Sequence, residues 1–430
     1  GGRKGSKRVT RLAVSGGAAV RTATWPNWPI GDTATRDNLD EVLRSHRWSI
    51  SGQYRGGPSF EQRFSKAFAA YTGASWCVPA ASGTTSLAIA LEAADVGAGD
   101  EVIVPGVSWV ASASAVLGIN AIPVLTDVDS ATGCIDPAAV EHAITPRTRA
   151  VTVVHLGSAV ADLHALAAVA DRHGLPLIED CAQAHGARFA GRHVGTFGVA
   201  GTFSFQHSKL LTSGEGGAVI TGDEALARRL AHLRADGRTF VEPPPPIDEM
   251  ELVETAEVMG ANHCLSEFHA SILLAQLGKL DRENACRAAN AALLDPQLAA
   301  LDCPPQATAP GTTARAYYGY VVRLPAAVLE RMPAHRFGKA VSAELGLPCK
   351  AMYAALNANL LYRPASRRRF ALGDTFGEAV DPARFDLPAA TDFARSSIVL
   401  PHRMLLADAA AMDDVATAFA KVIERLDEVP

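Results

Sequence analysis

Short apolar runs alternate with amphipathic stretches from residue 62 to about residue 240. The apolar, β-branched runs predict strands, and these lie at Glu101–Val104, Ala121–Thr126, Ala150–Leu156, Leu175–Glu179, Thr202–Gln206 and Gly217–Thr221. Helical spacing of apolar positions recurs between them, as at Asp162–His173 and Asp223–Asp236. Strands of this kind separated by helices indicate an α/β domain with a mostly parallel sheet covered on both faces.

The pattern changes beyond residue 286. Strand signals at Tyr317–Leu324 and Ile398–Leu400 mix with amphipathic helices at Pro333–Leu345 and Ala409–Leu426, which predicts a smaller α+β domain. We therefore divide the chain into a flexible N-terminal tail or arm at residues 1–25, a large domain at residues 26–285 and a small C-terminal domain at residues 286–430.

Charge and hydropathy limit the classes of partner. The 430 residues carry 40 basic and 45 acidic side chains for a net charge of -5, which argues against a nucleic-acid or anionic membrane surface. No apolar run is long enough to span a bilayer. The basic start, residues 1–8, is followed by a short apolar stretch broken by glycine, which is poor for a secretory signal. We expect a soluble, cytoplasmic protein.

Seven cysteines are scattered along the chain without a C-x-x-C spacing. This spacing indicates neither a zinc site nor a disulfide framework, and the odd count fits a reducing compartment. Cys181 lies beside an acidic residue and resembles a nucleophile, but we interpret it as a small buried hydrophobe. No metal site is predicted.

Candidate chemistry begins at Lys209, in a turn between the last two predicted strands of the large domain. The segment from 201 to 217 reads GTFSFQHSKLLTSGEGG, so the lysine is followed by a glycine-rich stretch before the next strand. An amine on a short turn between strands suits a lysine that forms a Schiff base with a carbonyl cofactor. Taken alone, a solvated hairpin lysine is the simpler interpretation.

A carboxylate upstream favours the Schiff-base interpretation of Lys209 over the solvated one. Asp180 follows the predicted strand Leu175–Glu179, at the end of a strand where open α/β sheets bind ligands. A carboxylate there can keep a pyridine nitrogen protonated and make the ring an electron sink. Gln183, one turn further on, could reach the phenolic oxygen of such a ring. Alone, Asp180 would be a helix cap, but its pairing with Lys209 favours the functional interpretation.

Two further features fit a phosphorylated, planar cofactor. Ser82, Gly83 and Thr84 precede a helical stretch, and a helix N-terminus with small residues favours an anion such as phosphate. Ser204 could add a hydroxyl. Trp109 follows the strand Glu101–Val104 and fits either a core position or stacking on a planar ring.

Together these motifs resemble the DegT/DnrJ/EryC1/StrS family of pyridoxal-phosphate-dependent aminotransferases. The resemblance rests on Asp180-x-x-Gln183, on the segment from Ser204 to Lys209 and on Gly214-Glu-Gly-Gly217. Weaker, scattered matches, among them residues 48–52, 262–268 and 401–403, are similar to the glutamine-dependent scyllo-inosose and 2-deoxy-scyllo-inosose aminotransferases of aminoglycoside antibiotic biosynthesis. Cys264 stands where most sugar aminotransferases have arginine, and the inosose enzymes share this cysteine.

The resemblance implies fold type I, the aspartate aminotransferase-like fold, with a seven-stranded type of sheet. It implies pyridoxal 5'-phosphate bound covalently by Lys209, with Asp180 at the pyridine nitrogen, and the remaining cofactor contacts would come from Gln183, Trp109, Ser82, Gly83, Thr84, Ser204 and Asn262. Asn262 would reach in from a neighbouring subunit, so the resemblance also implies a homodimer with composite active sites.

The implied reaction moves an amino group from L-glutamine, or glutamate, to a cyclic ketone. Candidate substrate contacts are His185, Tyr318 and His402, although structural roles fit both histidines equally well. The alternatives are an aminotransferase acting on a nucleotide-linked ketosugar, for which Arg367–Arg369 are the candidate diphosphate contact, and an aminohydroxybenzoate-type synthase. A different class would be a catalytically idle cofactor-binding regulator or scaffold.

Overall fold

A seven-stranded sheet lies at the centre of the large domain in the computed structural model, which describes residues 11–255 and 257–430. The strands of the central sheet and of the smaller sheets are, in chain order, β1 (Trp76–Ala80), β2 (Glu101–Pro105), β3 (Ile122–Thr126), β4 (Thr148–Val154), β5 (Leu177–Asp180), β6 (Arg188–Phe189), β7 (Arg192–His193), β8 (Ala200–Ser204), β9 (Gly217–Thr221), β10 (Arg238–Thr239), β11 (Val253–Glu254), β12 (Thr312–Ala314), β13 (Gly319–Arg323), β14 (Lys350–Ala351) and β15 (Ser397–Pro401).

The order of the central sheet is β1-β9-β8-β5-β4-β2-β3. Every neighbouring pair from β8 to β3 is parallel, whereas β9 pairs antiparallel with both β8 and β1. The mostly parallel sheet and its seven strands confirm the predicted architecture. The sequence interpretation missed β1, which ends beside the candidate phosphate-binding residues.

Helices of the large domain cover the central sheet, and others pack around the small sheet of the C-terminal part. They are α1 (Thr33–Ser45), α2 (Phe60–Thr72), α3 (Gly83–Ala93), α4 (Ala111–Gly118), α5 (Pro137–Ala143), α6 (Leu163–His173), α7 (Glu224–Arg234), α8 (Glu267–Ala299), α9 (Ala326–Leu329), α10 (Ala334–Leu345), α11 (Asp374–Val380), α12 (Pro388–Ser396) and α13 (Ala410–Ile423). Among the described residues, none of these helices combines the length and the apolar character that crossing a bilayer requires.

A second hydrophobic cluster forms around the small sheet β13-β15-β14 and the helices α10 and α13. The long helix α8 contributes to both clusters, and the predicted domain boundary at residue 285 falls inside it. Residues 11–25 of the predicted tail also pack on the second cluster. Leu12 is fully buried there, and the Trp25 indole N–H donates a 2.7 Å hydrogen bond to the Leu345 carbonyl. Residues 1–10 lie outside the described part, and the three-part division stays a prediction.

One buried carboxylate joins the start of α8 to the start of α2. The two oxygens of Glu267 accept hydrogen bonds from the backbone N–H groups of Phe60, at 2.7 Å, and Glu61, at 2.9 Å. These N–H groups have no partner inside α2, so the carboxylate supplements the Ser59 cap. Burial nevertheless raises the pKa of Glu267 to about 7, against the lowering effect of the two N–H groups.

We predict that this carboxylate makes stability fall as pH rises through neutrality. The folded chain holds the Glu267 proton up to a pKa of about 7, whereas the unfolded chain releases it near 4.5. The contribution of Glu267 to the free energy of unfolding is therefore complete below pH 4.5 and is lost between pH 4.5 and about pH 7. The loss is on the order of 3 kcal/mol for this one group. Glu267→Gln should remove this part of the slope when free energies of unfolding are compared at pH 5 and pH 8. The exposed substitution Glu254→Gln is the control, and parallel curves for wild type and Glu267→Gln would contradict the prediction.

Candidate active site

Asp180 is the last residue of β5 and is buried at the edge of the sheet. Its Oδ2 accepts a 2.9 Å hydrogen bond from the Ser112 hydroxyl on α4, and its Oδ1 accepts a 3.1 Å bond from the Ala182 N–H. The Ser112 oxygen lies 2.8 Å from the Ser108 oxygen, so the carboxylate is held from the turn before α4 as well as from its own turn. These contacts fix the orientation of the carboxylate.

Burial is the largest influence on the charge of this carboxylate. It raises the pKa of Asp180, while the two hydrogen bonds and the nearby Lys209 ammonium oppose the shift. A buried acid of this kind is stabilised in its ionised form by a cation placed against it. The site is therefore suited to hold a cationic group, such as a protonated ring nitrogen.

Lys209 lies in the turn that connects β8 to β9. The base of the turn is closed by backbone hydrogen bonds of 2.8 Å from Phe205 to Gly216 and from His207 to Gly214. The lysine side chain is buried, and its Nζ lies 4.2 Å from the centroid of the Tyr318 ring. The amine is thus held against an aromatic face contributed by the C-terminal part of the chain.

Asp180 and Lys209 line the same cavity, which has a volume of about 320 Å³. The parallel pairing of β5 with β8, with Asp180 opposite Thr202, brings the carboxylate and the lysine turn to the same edge of the sheet. The cavity wall also contains most of the other predicted site residues, namely Gln183, Trp109, Ser82, Gly83, Thr84, Ser204 and Tyr318.

One wall of the cavity is the N-terminus of α3, which begins at Gly83. The Ser82 side chain does not point an unpaired hydroxyl at the cavity, because its oxygen accepts from the Thr85 N–H in a capping box. The N–H groups of Gly83 and Thr84 come before the first intrahelical hydrogen bonds of α3. A Cβ on Gly83 would lie 2.6 Å from the Ser204 Cβ, so only glycine allows this close approach of α3 to β8.

The opposite part of the wall carries Gln183, Trp109 and Tyr353. The Gln183 oxygen accepts a 2.7 Å hydrogen bond from the Gly157 N–H, which leaves its amide N–H groups for the Tyr353 hydroxyl and the cavity. Trp109 is 47% exposed, and its ring meets the Tyr353 ring edge-on at 5.7 Å between centroids. Its exposure favours the stacking interpretation of Trp109 over the core position.

Three predicted site residues do not line this cavity. His185 is buried behind it and bonds the Ser204 carbonyl at 2.9 Å. His402 bonds the Ser208 carbonyl at 3.1 Å and lines an adjoining cavity of about 430 Å³, which shares Tyr318 and Tyr353 with the first. Asn262 is exposed, and its side chain accepts from the Cys264 N–H. The chain does not bring its own Asn262 to its own cavity.

Sequence reasoning missed Ser112 and Tyr353. Ser108 and Ser112, four residues apart after β2, were a detectable signal, because side chains at this spacing share one face of a helix. Tyr353 follows the two-residue strand β14 and reaches the cavity only through the packing of the small sheet. No local pattern in the sequence distinguishes it from other tyrosines.

A second cluster of polar groups, His155, Glu179 and Cys181, has ligand atoms within 4.8 Å of one another. It does not suit a metal ion. Glu179 already accepts hydrogen bonds from the His155 ring and from three backbone N–H groups at Gly195, Phe197 and Gly198. Burial raises the pKa of the Cys181 thiol well above its ordinary value, so the thiol stays protonated.

Comparisons with known proteins identify the family of the chain. The DegT/DnrJ/EryC1/StrS aminotransferase family matches residues 30–420, and the chain belongs to that family. A relative from Streptomyces fradiae, named L-glutamine:2-deoxy-scyllo-inosose aminotransferase, is 58% identical over 415 residues, which are 96% of this chain and 98% of the relative. A relative from Streptomyces griseus, named L-glutamine:scyllo-inosose aminotransferase, is 58% identical over 419 residues, which are 97% of this chain and 99% of the relative.

Among solved structures, that of 3-amino-5-hydroxybenzoic acid synthase is 31% identical. It covers 94% of this chain and 100% of its own, with a TM-score of 0.79. This likeness confirms the predicted fold class, the aspartate aminotransferase-like fold type I. The family also confirms that the chain is an aminotransferase.

Proposed function

We propose that the chain binds pyridoxal 5'-phosphate in the cavity between Asp180 and Lys209. The observation that carries the proposal is the presence of a buried carboxylate and a buried amine in the wall of one cavity. The donor set fits the cofactor. The N-terminus of α3 and Ser204 suit its phosphate, Asp180 its ring nitrogen and the Gln183 amide its phenolic oxygen.

Bound there, the cofactor would supply an electron sink for the bond electrons left when the substrate carbon loses its proton. The residues of the chain do the rest. The Lys209 amine removes the proton from the amino donor and returns it, as base and then acid, and the Tyr318 ring keeps Nζ in place. The fixed negative charge of Asp180 stabilises the cationic ring throughout, without reorganisation during the reaction.

We propose L-glutamine as the amino donor and a cyclic ketone, scyllo-inosose or 2-deoxy-scyllo-inosose, as the acceptor. The relatives named for these reactions are equally identical to the chain, at 58%, and each is matched over almost its whole length. The proposed place of the enzyme is the formation of an aminocyclitol in aminoglycoside antibiotic biosynthesis. Equal identity to both groups gives no preference between the two ketones.

The alternatives receive less support. Arg367–Arg369, the candidate diphosphate contact of a nucleotide sugar, are exposed and line neither of the two adjoining cavities. Arg369 instead bonds the Gly118 carbonyl. The likeness to 3-amino-5-hydroxybenzoic acid synthase, at 31% identity, is weaker than the likeness to the inosose enzymes. Membership of an aminotransferase family counts against an idle cofactor-binding scaffold.

The proposed assembly is a cytoplasmic homodimer with composite active sites. Asn262 is exposed and does not line the cavity of its own chain, as a residue that completes a partner's site would be. All seven cysteines are free, as expected in a reducing compartment.

Lys209→Ala tests the covalent tether. We expect borohydride to attach the cofactor irreversibly to Lys209 in the wild-type protein, because it reduces the carbon–nitrogen double bond between amine and aldehyde. Peptide mass spectrometry should locate the adduct on Lys209 and find none in the variant. Lys66→Ala, on α2 outside the cavity, is the control. Full transaminase turnover by Lys209→Ala would rule out the proposed role.

Asp180→Asn tests the charge rather than the shape of the site. The amide preserves size but removes the negative charge, so the rate should fall by about two to three orders of magnitude. Ser112→Ala removes only one hydrogen bond to the carboxylate and should cost far less. The measurement is the single-turnover rate of the half-reaction with glutamine at saturating cofactor. Near-wild-type rates for Asp180→Asn would show that the charge of Asp180 does not stabilise the cofactor ring during the reaction.

A panel of ketones tests the acceptor. With glutamine as donor, we expect turnover of scyllo-inosose, 2-deoxy-scyllo-inosose or both, and none of nucleotide-linked ketosugars. Amination is measured by mass spectrometry of the product, with Lys209→Ala protein as the blank. Turnover confined to nucleotide-linked ketosugars would overturn the acceptor assignment while leaving the aminotransferase assignment intact.

A further inference from the structure

Three ring N–H groups bond the backbone at the end of β8 and in the turn that follows it. We call this segment, from Ser204 to Gly216, the lysine turn. We call the three groups the ring donors: Trp28 Nε1 bonds the Lys209 carbonyl at 3.2 Å, His185 Nε2 bonds the Ser204 carbonyl at 2.9 Å and His402 Nε2 bonds the Ser208 carbonyl at 3.1 Å. They come from segments far apart in the sequence. Since a carbonyl only accepts, both histidines carry their proton on Nε2.

Arg287, on α8, contacts the Trp28 ring directly and is linked to His402 through Trp28 and to His185 through Asn284. Its guanidinium carbon lies 5.1 Å from the centroid of the Trp28 ring, whose edge packs on the His402 ring at 4.7 Å. Its Nη1 donates a 2.9 Å hydrogen bond to the Asn284 side chain, and Asn284 in turn donates a 2.9 Å bond to the His185 carbonyl. One side chain therefore underlies all three supports of the turn.

The charge of Arg287 is buried and only loosely compensated. The side chain is fully buried, and its nearest carboxylate, Glu283, lies 3.8 Å from Nη2. Its Nε and Nη2 atoms find no hydrogen-bond acceptor within residues 11–255 and 257–430. Burial lowers the pKa of Arg287 to about 10, so the group remains a cation at neutral pH. A buried charge without a close partner lowers the stability of the fold, because its desolvation is not offset. A role outside stability is therefore the better explanation for Arg287.

The cation has a direct effect on the two histidines. Burial and then Arg287 lower the pKa of His402 well below its ordinary value. Burial, the Lys209 ammonium and Arg287 together lower the pKa of His185 to about 3. Both rings are therefore neutral, and the one ring proton of each lies on the Nε2 atom that donates to the backbone carbonyl.

We propose that Arg287 is a positioning residue for Lys209. It supports the Trp28 ring by stacking and the His185 backbone through Asn284, so the turn holds the lysine amine in one place. The kinetic part of this claim rests on the proposed function. An arginine that merely stabilised the fold would not act selectively on this turn.

Hydrogen–deuterium exchange tests the positioning without any turnover. In the cofactor-free protein, Arg287→Met should raise the exchange rate of the peptide spanning residues 203–211 by about tenfold or more, because its carbonyls lose their supports. A peptide containing β2 should not change. Arg282→Met, at an exposed arginine on the same helix, is the matched control. Unchanged exchange at 203–211, or a rise across the whole protein, would overturn the proposal.

Steady-state kinetics of Arg287→Met test whether a displaced Lys209 amine slows the reaction. A displaced amine slows both half-reactions, so kcat/KM for the donor and for the ketone should fall by the same factor, on the order of 10- to 100-fold. A residue that bound only one substrate would lower one of the two. If the wild-type protein has no transaminase activity, the proposed function fails, and the exchange experiment still decides the positioning claim.

A double-mutant cycle tests whether Arg287 acts through the ring donors. His402→Phe removes one donor, and the pair Arg287→Met with His402→Phe should be little slower than the worse single variant, since both break the same support. Fully additive losses would contradict the proposal. If Arg287→Met does not fold, Arg287→Lys takes its place in each experiment, because it keeps the charge but loses the flat stacking and the bond to Asn284.

Discussion

The opposition of a buried carboxylate and a buried amine across one cavity is the constraint on which the rest of the site depends. It is set by the pairing of β5 with β8, because the register that puts Asp180 opposite Thr202 brings the end of one strand beside the exit of the other. The fold tolerates a buried acid here because Ser112 and the turn at Ala182 hydrogen-bond to it. A cationic ring would complete the compensation.

The lysine side of this pair depends on support from distant parts of the chain. The turn itself supplies only a few backbone hydrogen bonds. The ring donors from residues 28, 185 and 402 hold it from outside, and Tyr318 supplies the surface beneath the amine. Arg287, which neighbours these donors, lies on α8, the helix that contributes to both hydrophobic clusters.

Local sequence patterns predicted most of the strands, the strand end that carries Asp180 and the turn that carries Lys209, because strand ends and glycine-rich turns are local features. Tyr353 and Arg287 were beyond reach, since they act through tertiary contacts that no spacing reveals, whereas the spacing of Ser108 and Ser112 was a signal that the sequence interpretation did not use. Strand β1 was missed because Pro79 and its exposed first residue, Trp76, weaken the strand pattern. His185 was proposed as a substrate contact, but its ring is used on the Ser204 carbonyl behind the cavity.

The most direct measurement of the central claim is a crystal structure of the protein with pyridoxal phosphate bound. The account predicts continuous density from Lys209 Nζ to the cofactor, with the ring nitrogen at hydrogen-bond distance from the Asp180 carboxylate and the phosphate at the start of α3. A ring bound with its nitrogen turned away from Asp180, or a Lys209 side chain directed to solvent, would contradict it.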